Sequence, residues 1–118
     1  ARAFAAITEQ RAEAIFVGGG PYLFADRHQI IEFAIKKRLP LMGPFTEAGA
    51  LLSYGVSSTE YWARMAYLVD RLLRGVKPAD LPIEQISKFE LVINLKTAKA
   101  IGLTIPPSLL ARADEVIQ

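Results

Sequence analysis

The sequence contains no cysteine and only one histidine, His28. Without cysteine, the chain forms no disulfide, carries no thiol nucleophile and builds no cysteine-based metal site. A single histidine also leaves the usual zinc ligand sets incomplete, so a zinc site is disfavoured. These absences do not indicate a compartment, because periplasmic and cytosolic proteins can both lack cysteine.

An excess of charge of one sign is also missing. The 14 Lys and Arg residues nearly balance the 12 Asp and Glu residues, and no run of five like charges occurs. The densest cluster, residues 36–38, suits the C-terminal end of a helix better than an anion or nucleic-acid site. A nucleic-acid partner therefore has little support. No apolar run approaches the ~20 residues of a membrane helix, and no signal-peptide pattern is present.

Short apolar runs alternate with helical patterns along the 118 residues, of which 52% are hydrophobic. This alternation predicts a single α/β domain with a packed core around a mostly parallel sheet. The chain begins Ala-Arg-Ala, so we expect a processed chain or a part of a larger protein. Strands are predicted over 14–17, 39–42, 50–54, 84–87 and 89–94, the last two separate or joined by a kink. Helices are predicted over 1–11, 26–38, 57–74, 95–101 and 108–117.

Several helix ends carry capping residues. Asp26 with Gln29, and Ser57 with Glu60, match the capping box, in which the first side chain accepts a hydrogen bond from the N–H group three residues on. Asn94 is predicted to cap helix 95–101. Helix 57–74 carries a broad apolar stripe, which we interpret as core, with a ligand role as the alternative. The stripe consists of Tyr61, Trp62, Met65, Leu68, Val69, Leu72 and Leu73.

Glycine-containing loops follow three of the predicted strands, over 18–24, 43–49 and 54–58. Ligands of open α/β sheets bind outside the carboxyl ends of the strands, so these loops form the candidate site. Glycines there would let a ligand approach the backbone closely. The stretch GGGPYLFAD matches neither the P-loop nor the dinucleotide-binding pattern, so phosphate binding has weak support.

Two kinds of side chain in these loops suit a small organic ligand. Tyr22, Phe24 and Phe45 offer stacking or apolar surface. Thr46 and Glu47 offer a hydroxyl and a carboxylate, and the carboxylate would hold an ammonium group. From spacing alone, a solvated loop position is the favoured alternative for Glu47.

Catalysis is not indicated. His28 falls in the first turn of a predicted helix, where an ordinary surface residue is favoured over a ligand contact or a catalyst. No nucleophile stands next to a recognisable base. We therefore expect neither an enzyme nor a bound cofactor.

Three stretches resemble one protein family over nearly the whole chain, namely AEAIFVGGGPYLF, RLPLMGPFTEAGALLSYG and the ending from YLVDRLLRG to RADEVI. The most specific segments are G-x-KPADLP-x-E-Q and FELVINLKTAKA-x-GLTIPPSLL. By these segments the chain is identified as a member of the ABC transporter substrate-binding protein family, often called ABC-sub-bind. That family is similar to type I periplasmic binding proteins, which have two lobes.

The resemblance implies a fold and a function. The fold is α/β, a three-layer Rossmann-like lobe with a mostly parallel sheet. It corresponds to the C-terminal part of the two-lobed protein. Residues 76–118 would be the closing segments that cross back toward the other lobe. The family's ligand lies in the cleft between the lobes, which close around it by hinge motion. A periplasmic protein, or an extracellular membrane-associated one, then delivers the ligand to the membrane permease of an ABC transporter.

Some members of the family bind aromatic amino acids, so a small organic ligand is expected. It is either amino-acid-like or of another kind, since amino-acid-binding relatives often carry polar residues where this chain has Gly18-Gly19-Gly20. A ligand-sensing domain of a regulatory or signalling protein remains an alternative, and so does a small α/β hydrolase, since fold alone does not fix function. The resemblance assigns the ligand-binding residues to two loop edges of the cleft and to the crossing region. They are Gly19, Gly20, Pro21, Tyr22, Phe45, Thr46, Glu47, Gly49 and Tyr54.

A lobe that is separated from the other lobe of its protein exposes apolar surface that the other lobe would cover. We therefore predict that the isolated fragment forms a homodimer or exchanges a segment with a second copy. The region after Pro78 is the expected exchanging segment, because in the family it would cross toward the other lobe.

Overall fold

Helices and strands alternate along the chain in the computed structural model, which describes residues 2–118. The helices are α1 (Arg2–Glu9), α2 (Pro21–Ala25), α3 (Arg27–Lys37), α4 (Ser58–Leu73), α5 (Leu95–Ile101) and α6 (Pro107–Leu110). The strands are β1 (Ile15–Phe16), β2 (Leu41–Met42), β3 (Leu52–Val56), β4 (Phe89–Asn94) and β5 (Glu115–Ile117). The chain divides into two compact units: unit 1 comprises residues 2–54 and 91–118, and unit 2 comprises residues 55–90.

The five strands form one sheet in the order β1-β2-β3-β4-β5. The pairs β1–β2, β2–β3 and β4–β5 are parallel. Between β3 and β4 the direction reverses, since Asn94 N–H donates to the Leu51 carbonyl while Ser57 N–H donates to the Lys88 carbonyl. The sheet is therefore mixed but mostly parallel, and the predicted α/β fold class is confirmed.

The core of unit 1 has two clusters. In the first, α3 packs the buried side chains of Ile30, Ile31 and Ala34 against Leu41 of β2. In the second, α5 covers Ile93 of β4. Ile35 packs against both clusters, which makes the interior continuous. The remaining buried members are Val17, Phe45 and Ala50 in the first cluster and Leu51, Ala98, Ile101 and Ile105 in the second.

The predicted capping box at Asp26 is wrong. The Asp26 side chain makes no cap hydrogen bond, and its backbone N–H donates to the Tyr22 carbonyl at 3.1 Å. Pro21 starts a separate helix earlier, because proline is well suited to the first helical position. Asp26 thus joins the end of α2 to the start of α3 with φ −90° and ψ 8°, which is not the extended geometry of an N-cap.

Unit 2 is built around α4. The Ser57 hydroxyl accepts a hydrogen bond from the Glu60 N–H at 3.4 Å, which confirms the predicted cap. Arg64 donates both forks of its guanidinium to the Glu84 carboxylate and lies over the Tyr67 ring, 4.3 Å from its centroid. The hydrogen bond from Arg64 holds the pKa of the Glu84 carboxyl below its ordinary value. This pair ties the helix to the irregular segment after it.

The prediction that the α4 stripe is core is wrong for the part of the chain described here. No residue of α4 is buried. Trp62 is 67% exposed and Leu73 is 83% exposed. Within unit 2 the segment that follows α4 is mostly irregular, and its Ile83 points to solvent, so it supplies little apolar cover.

The other departures from the sequence prediction have tertiary causes. Residues 84–87 are not a strand. The third strand is Leu52–Val56, and Ala50 and Leu51 just before it are buried in the core. The helix predicted over 108–117 ends at Leu110. Asp114 then exchanges hydrogen bonds with the Leu91 backbone at 2.8 and 2.9 Å, so the chain continues as β5 beside β4. Pairing with the open edge of β4 therefore outweighs the helix propensity of the residues after Leu110.

Candidate functional site

Two of the predicted loops emerge at the same edge of the sheet. Residues 18–20 follow β1 and residues 43–49 follow β2, and these two strands are parallel neighbours. Met42, the last residue of β2, pairs with Leu52, the first residue of β3. Tyr54 therefore lies along β3 beyond the end of β2. This edge is where ligands of α/β sheets bind.

The third predicted loop, residues 54–58, is not a loop. Residues 54–56 belong to β3, and Ser58 begins α4. The candidate site of unit 1 consequently consists of the first two loops with Tyr54, which is 61% exposed.

The structure brings the first two loops into contact. The rings of Phe24 and Phe45 meet edge to face, with 5.9 Å between their centroids. A Cβ atom placed on Gly43 would lie 3.2 Å from the Val17 Cβ, so the start of the second loop runs close to the end of β1. A larger residue at position 43 would require Val17 to give way by a few tenths of an ångström.

The predicted site residues differ strongly in exposure. Tyr22 is 87% exposed and Glu47 is exposed, whereas Phe45 is 3% and Thr46 is 4% exposed. Gly19, Gly20 and Pro21 are also exposed, and open space surrounds the two glycines. Among the predicted site residues of the first two loops, the exposed aromatic and charged side chains are the phenol of Tyr22 and the carboxylate of Glu47, and Phe24 of the first loop is also 56% exposed.

The second loop turns tightly beneath Glu47. The Ala48 N–H donates to the Phe45 carbonyl at 3.0 Å, and the Gly49 N–H donates to the Thr46 carbonyl at 3.1 Å. Gly49 has φ +122°, a conformation that side chains rarely adopt, and a Cβ there would lie 3.0 Å from Ile31 Cγ2. The turn thus requires glycine at position 49.

Two polar residues that the sequence did not assign to the site hold this loop. The Asn94 side-chain amide donates to the Thr46 carbonyl, and the Thr97 hydroxyl donates to the Gly49 carbonyl, both at 2.9 Å. Asn94 also caps α5 as predicted, accepting a hydrogen bond from the Thr97 N–H at 3.0 Å. The sequence carries the capping signal but no sign of the second contact, which spans 48 residues.

Other chemistry has little support in the described part of the chain. His28 is exposed at the start of α3. Among residues 2–118, no three acidic or histidine side chains converge as a metal site. Within the same residues, none of the helices is both long and apolar enough to span a membrane. The Thr46 hydroxyl is buried and finds no hydrogen-bond partner among them.

The profile of the family described as ABC transporter substrate binding protein matches residues 3–117. The chain belongs to the ABC transporter substrate-binding protein family. The resemblance found in the sequence is thereby confirmed. This is a family of substrate-binding proteins rather than of enzymes, and its members are typically periplasmic or extracellular.

Solved structures of substrate-binding proteins have the same fold. An ABC domain from Streptococcus pneumonia in complex with L-Trp is 26% identical, with a TM-score of 0.82 over 94% of this chain and 39% of its own. A conserved domain protein from Vibrio cholerae is 28% identical, with a TM-score of 0.86 over 98% of this chain and 40% of its own. The chain therefore spans about two fifths of the length of these structures.

A more distant structure shows the fold alone. The ligand-free, open form of a substrate binding protein with adhesive properties from Clostridium difficile is 15% identical. Its TM-score is 0.66 over 99% of this chain and 40% of its own. Among the curated proteins, none matches the chain.

Proposed function

We propose that this chain forms one wall of the ligand cleft of a solute-binding protein, which captures a small, amino-acid-like organic molecule for uptake by an ABC transporter. The opposite wall would come from a second lobe, since the solved relatives are much longer than this chain. Closure of the two walls around the ligand would create the surface that the membrane permease recognises.

The observation that carries the proposal is the meeting of two loops at the carboxyl edge of β1 and β2. Tyr22 and Glu47 are exposed on these loops, and the contact between Phe24 and Phe45 joins the loops. An exposed aromatic ring and an exposed carboxylate on adjacent loops suit a molecule that has both an apolar part and a cationic group.

Each predicted residue has a role in this proposal. The Glu47 carboxylate would bind the ligand's ammonium group, and the Tyr22 ring would pack against its apolar part. Gly19 and Gly20 would let backbone N–H groups approach the ligand's carboxylate, next to Pro21 at the start of α2. Tyr54 would flank the ligand along β3. The remaining three residues, Phe45, Thr46 and Gly49, would support the loop from below.

The proposal requires no chemical step. Ligand capture and release suffice for uptake, so the protein would act as a binding component and not as an enzyme. Its place of work would be the periplasm, or the outer face of the membrane, as is typical of the family.

A thermal-shift screen of the complete protein tests this function. L-tryptophan is the first probe, because a relative was solved with it, followed by the other amino acids and small organic acids. A ligand present at a hundredfold excess over its dissociation constant stabilises the folded state by about 2.7 kcal/mol. A clear rise in the midpoint is expected for at least one amino-acid-like compound. The absence of any shift across the library would contradict the proposal and favour the ligand-sensing alternative with another class of effector.

We further propose that the isolated chain pairs with a second copy through α4 or exchanges the segment after Pro78. Light scattering of residues 1–118 is expected to give about twice the 13.0 kDa of the monomer. The exposed apolar stripe of α4 supports this expectation, because Trp62 and Leu73 remain uncovered. For pairing through α4, replacing both by serine is expected to release monomers, while Arg71→Ser on another side of the helix leaves the dimer intact. A wild-type chain that stays monomeric at high concentration would count against this pairing.

A further inference from the structure

The loop that carries Glu47 is fixed by side chains from the start of α5. The carbonyls on either side of the Glu47–Ala48 tip accept hydrogen bonds from the capping residue and from the first turn of this helix. Asn94 binds the Thr46 carbonyl and Thr97 binds the Gly49 carbonyl, each at 2.9 Å. Both donors are buried, at 5% and 7% exposure. Buried hydrogen bonds of this kind hold a backbone strongly, because breaking one leaves a polar group without a partner.

Asn94 connects three parts of unit 1 at once. Its backbone N–H donates to the Leu51 carbonyl at 2.8 Å, which ties it to the chain entering β3. Its side-chain oxygen accepts the Thr97 N–H at 3.0 Å, and its side-chain NH₂ group donates to Thr46. Every polar atom of the Asn94 side chain is therefore engaged, so the residue has little freedom to rotate.

The opposite side of the same loop is closed by packing. Ile31 of α3 is 5% exposed and leaves no room for a side chain at Gly49, whose added Cβ would come within 3.0 Å of it. Hydrogen bonds from α5 and van der Waals contact from α3 thus hold the turn from two directions. The Glu47 side chain remains exposed on a backbone that is fixed at both of its ends.

We infer that Asn94 and Thr97 are positioning residues for ligand binding, which hold the Glu47 loop in its binding conformation before the ligand arrives. This inference rests on the proposed function. Ordering a flexible loop costs conformational entropy. A loop that is already ordered avoids this cost on binding, so the ligand binds more tightly. Neither side chain touches the ligand in this scheme, because both are buried beneath the loop.

The Asn94→Asp variant separates the two roles of Asn94. Aspartate caps a helix about as well as asparagine, so the hydrogen bond from the Thr97 N–H is kept. The donor to the Thr46 carbonyl is lost, and a carboxylate oxygen faces that carbonyl instead. Thr97→Val makes the matching change at the other end of the loop by removing the hydroxyl donor. Thr97→Ser restores this donor, and Lys96→Ala on the exposed side of α5 is the control.

The readouts are amide hydrogen exchange and L-tryptophan affinity in the complete protein. In Asn94→Asp and Thr97→Val, we expect exchange of the Gly49 and Ala50 amides to accelerate at least about tenfold, in line with the loss of one buried hydrogen bond. The Leu103 amide, which bonds to the Ala98 carbonyl at the end of α5, is expected to keep its protection. L-tryptophan affinity is expected to fall by a similar factor, and Thr97→Ser and Lys96→Ala are expected to behave like the wild type.

The outcomes distinguish the inference from the proposed function. Uniform acceleration of exchange throughout α5 and the loop would show general destabilisation and would overturn the positioning role. Wild-type affinity in Asn94→Asp, combined with weak binding in Glu47→Gln, would overturn this inference alone. A wild-type protein that binds neither L-tryptophan nor any other amino acid would overturn the proposed function and the inference with it.

Discussion

The Glu47→Gln variant of the complete protein is expected to bind L-tryptophan roughly ten- to a hundredfold more weakly than the wild type. Glutamine keeps the size of the side chain and removes its charge. A hydrogen bond that involves a charged group contributes about 1.5–3 kcal/mol, which corresponds to this range of affinities. Isothermal titration calorimetry measures the change directly.

Two comparisons make this test specific. Glu32→Gln makes the same change at an exposed glutamate on α3, outside the proposed site, and is expected to leave the affinity for L-tryptophan unchanged. Indole-3-propionate, which has the apolar part of L-tryptophan without its ammonium group, is expected to bind the wild type weakly and to lose little further affinity in Glu47→Gln. Equal affinities of wild type and Glu47→Gln for L-tryptophan would remove Glu47 from the proposed site.

The Ile93→Ala variant is expected to lose about 2–5 kcal/mol of unfolding free energy, because the substitution opens a cavity in the core. Ile93 is fully buried in β4 and belongs to the cluster covered by α5. Domains of this size are stable by only about 5–15 kcal/mol, so the variant would lose a large part of its stability. Urea denaturation of the chain, followed by circular dichroism, measures the difference.

Ile83→Ala is the matched control for this substitution. It deletes the same atoms from a side chain that is fully exposed in unit 2. Its expected effect lies within about 0.5 kcal/mol, as for most surface substitutions. Similar losses in both variants would mean that the cluster around Ile93 does not carry the stability assigned to it.

Local rules predicted much of the secondary structure from the sequence. Ser57 caps α4 and Asn94 caps α5, and Gly102 ends α5 in the left-handed conformation with φ +76°. These features depend on a few neighbouring residues, so their signals are present in the sequence. The meeting of the two loops was also predictable in outline, because parallel strands bring their carboxyl ends to one edge.

The departures arise where distant residues decide the outcome. A helical pattern over 108–117 yields to β5 because Asp114 pairs with the backbone of Leu91. Within the second loop, Phe45 is buried in the cluster that includes Ile31 of α3, and Asn94 holds the Thr46 carbonyl, whereas Glu47 is exposed. Nothing in the order of residues 43–49 reveals which of their side chains points outward, because that choice is made by elements far away along the chain.

Unit 1 is discontinuous in sequence, and this has a consequence for how it forms during synthesis. The ribosome delivers β1, β2 and β3 first, then all of unit 2, and only afterwards β4 and β5. Until β4 arrives, β3 has one unpaired edge, and the cluster around Ile93 does not exist. Pairings between segments so far apart also form slowly. The nascent chain therefore stays incompletely folded for longer than a domain built from neighbouring segments.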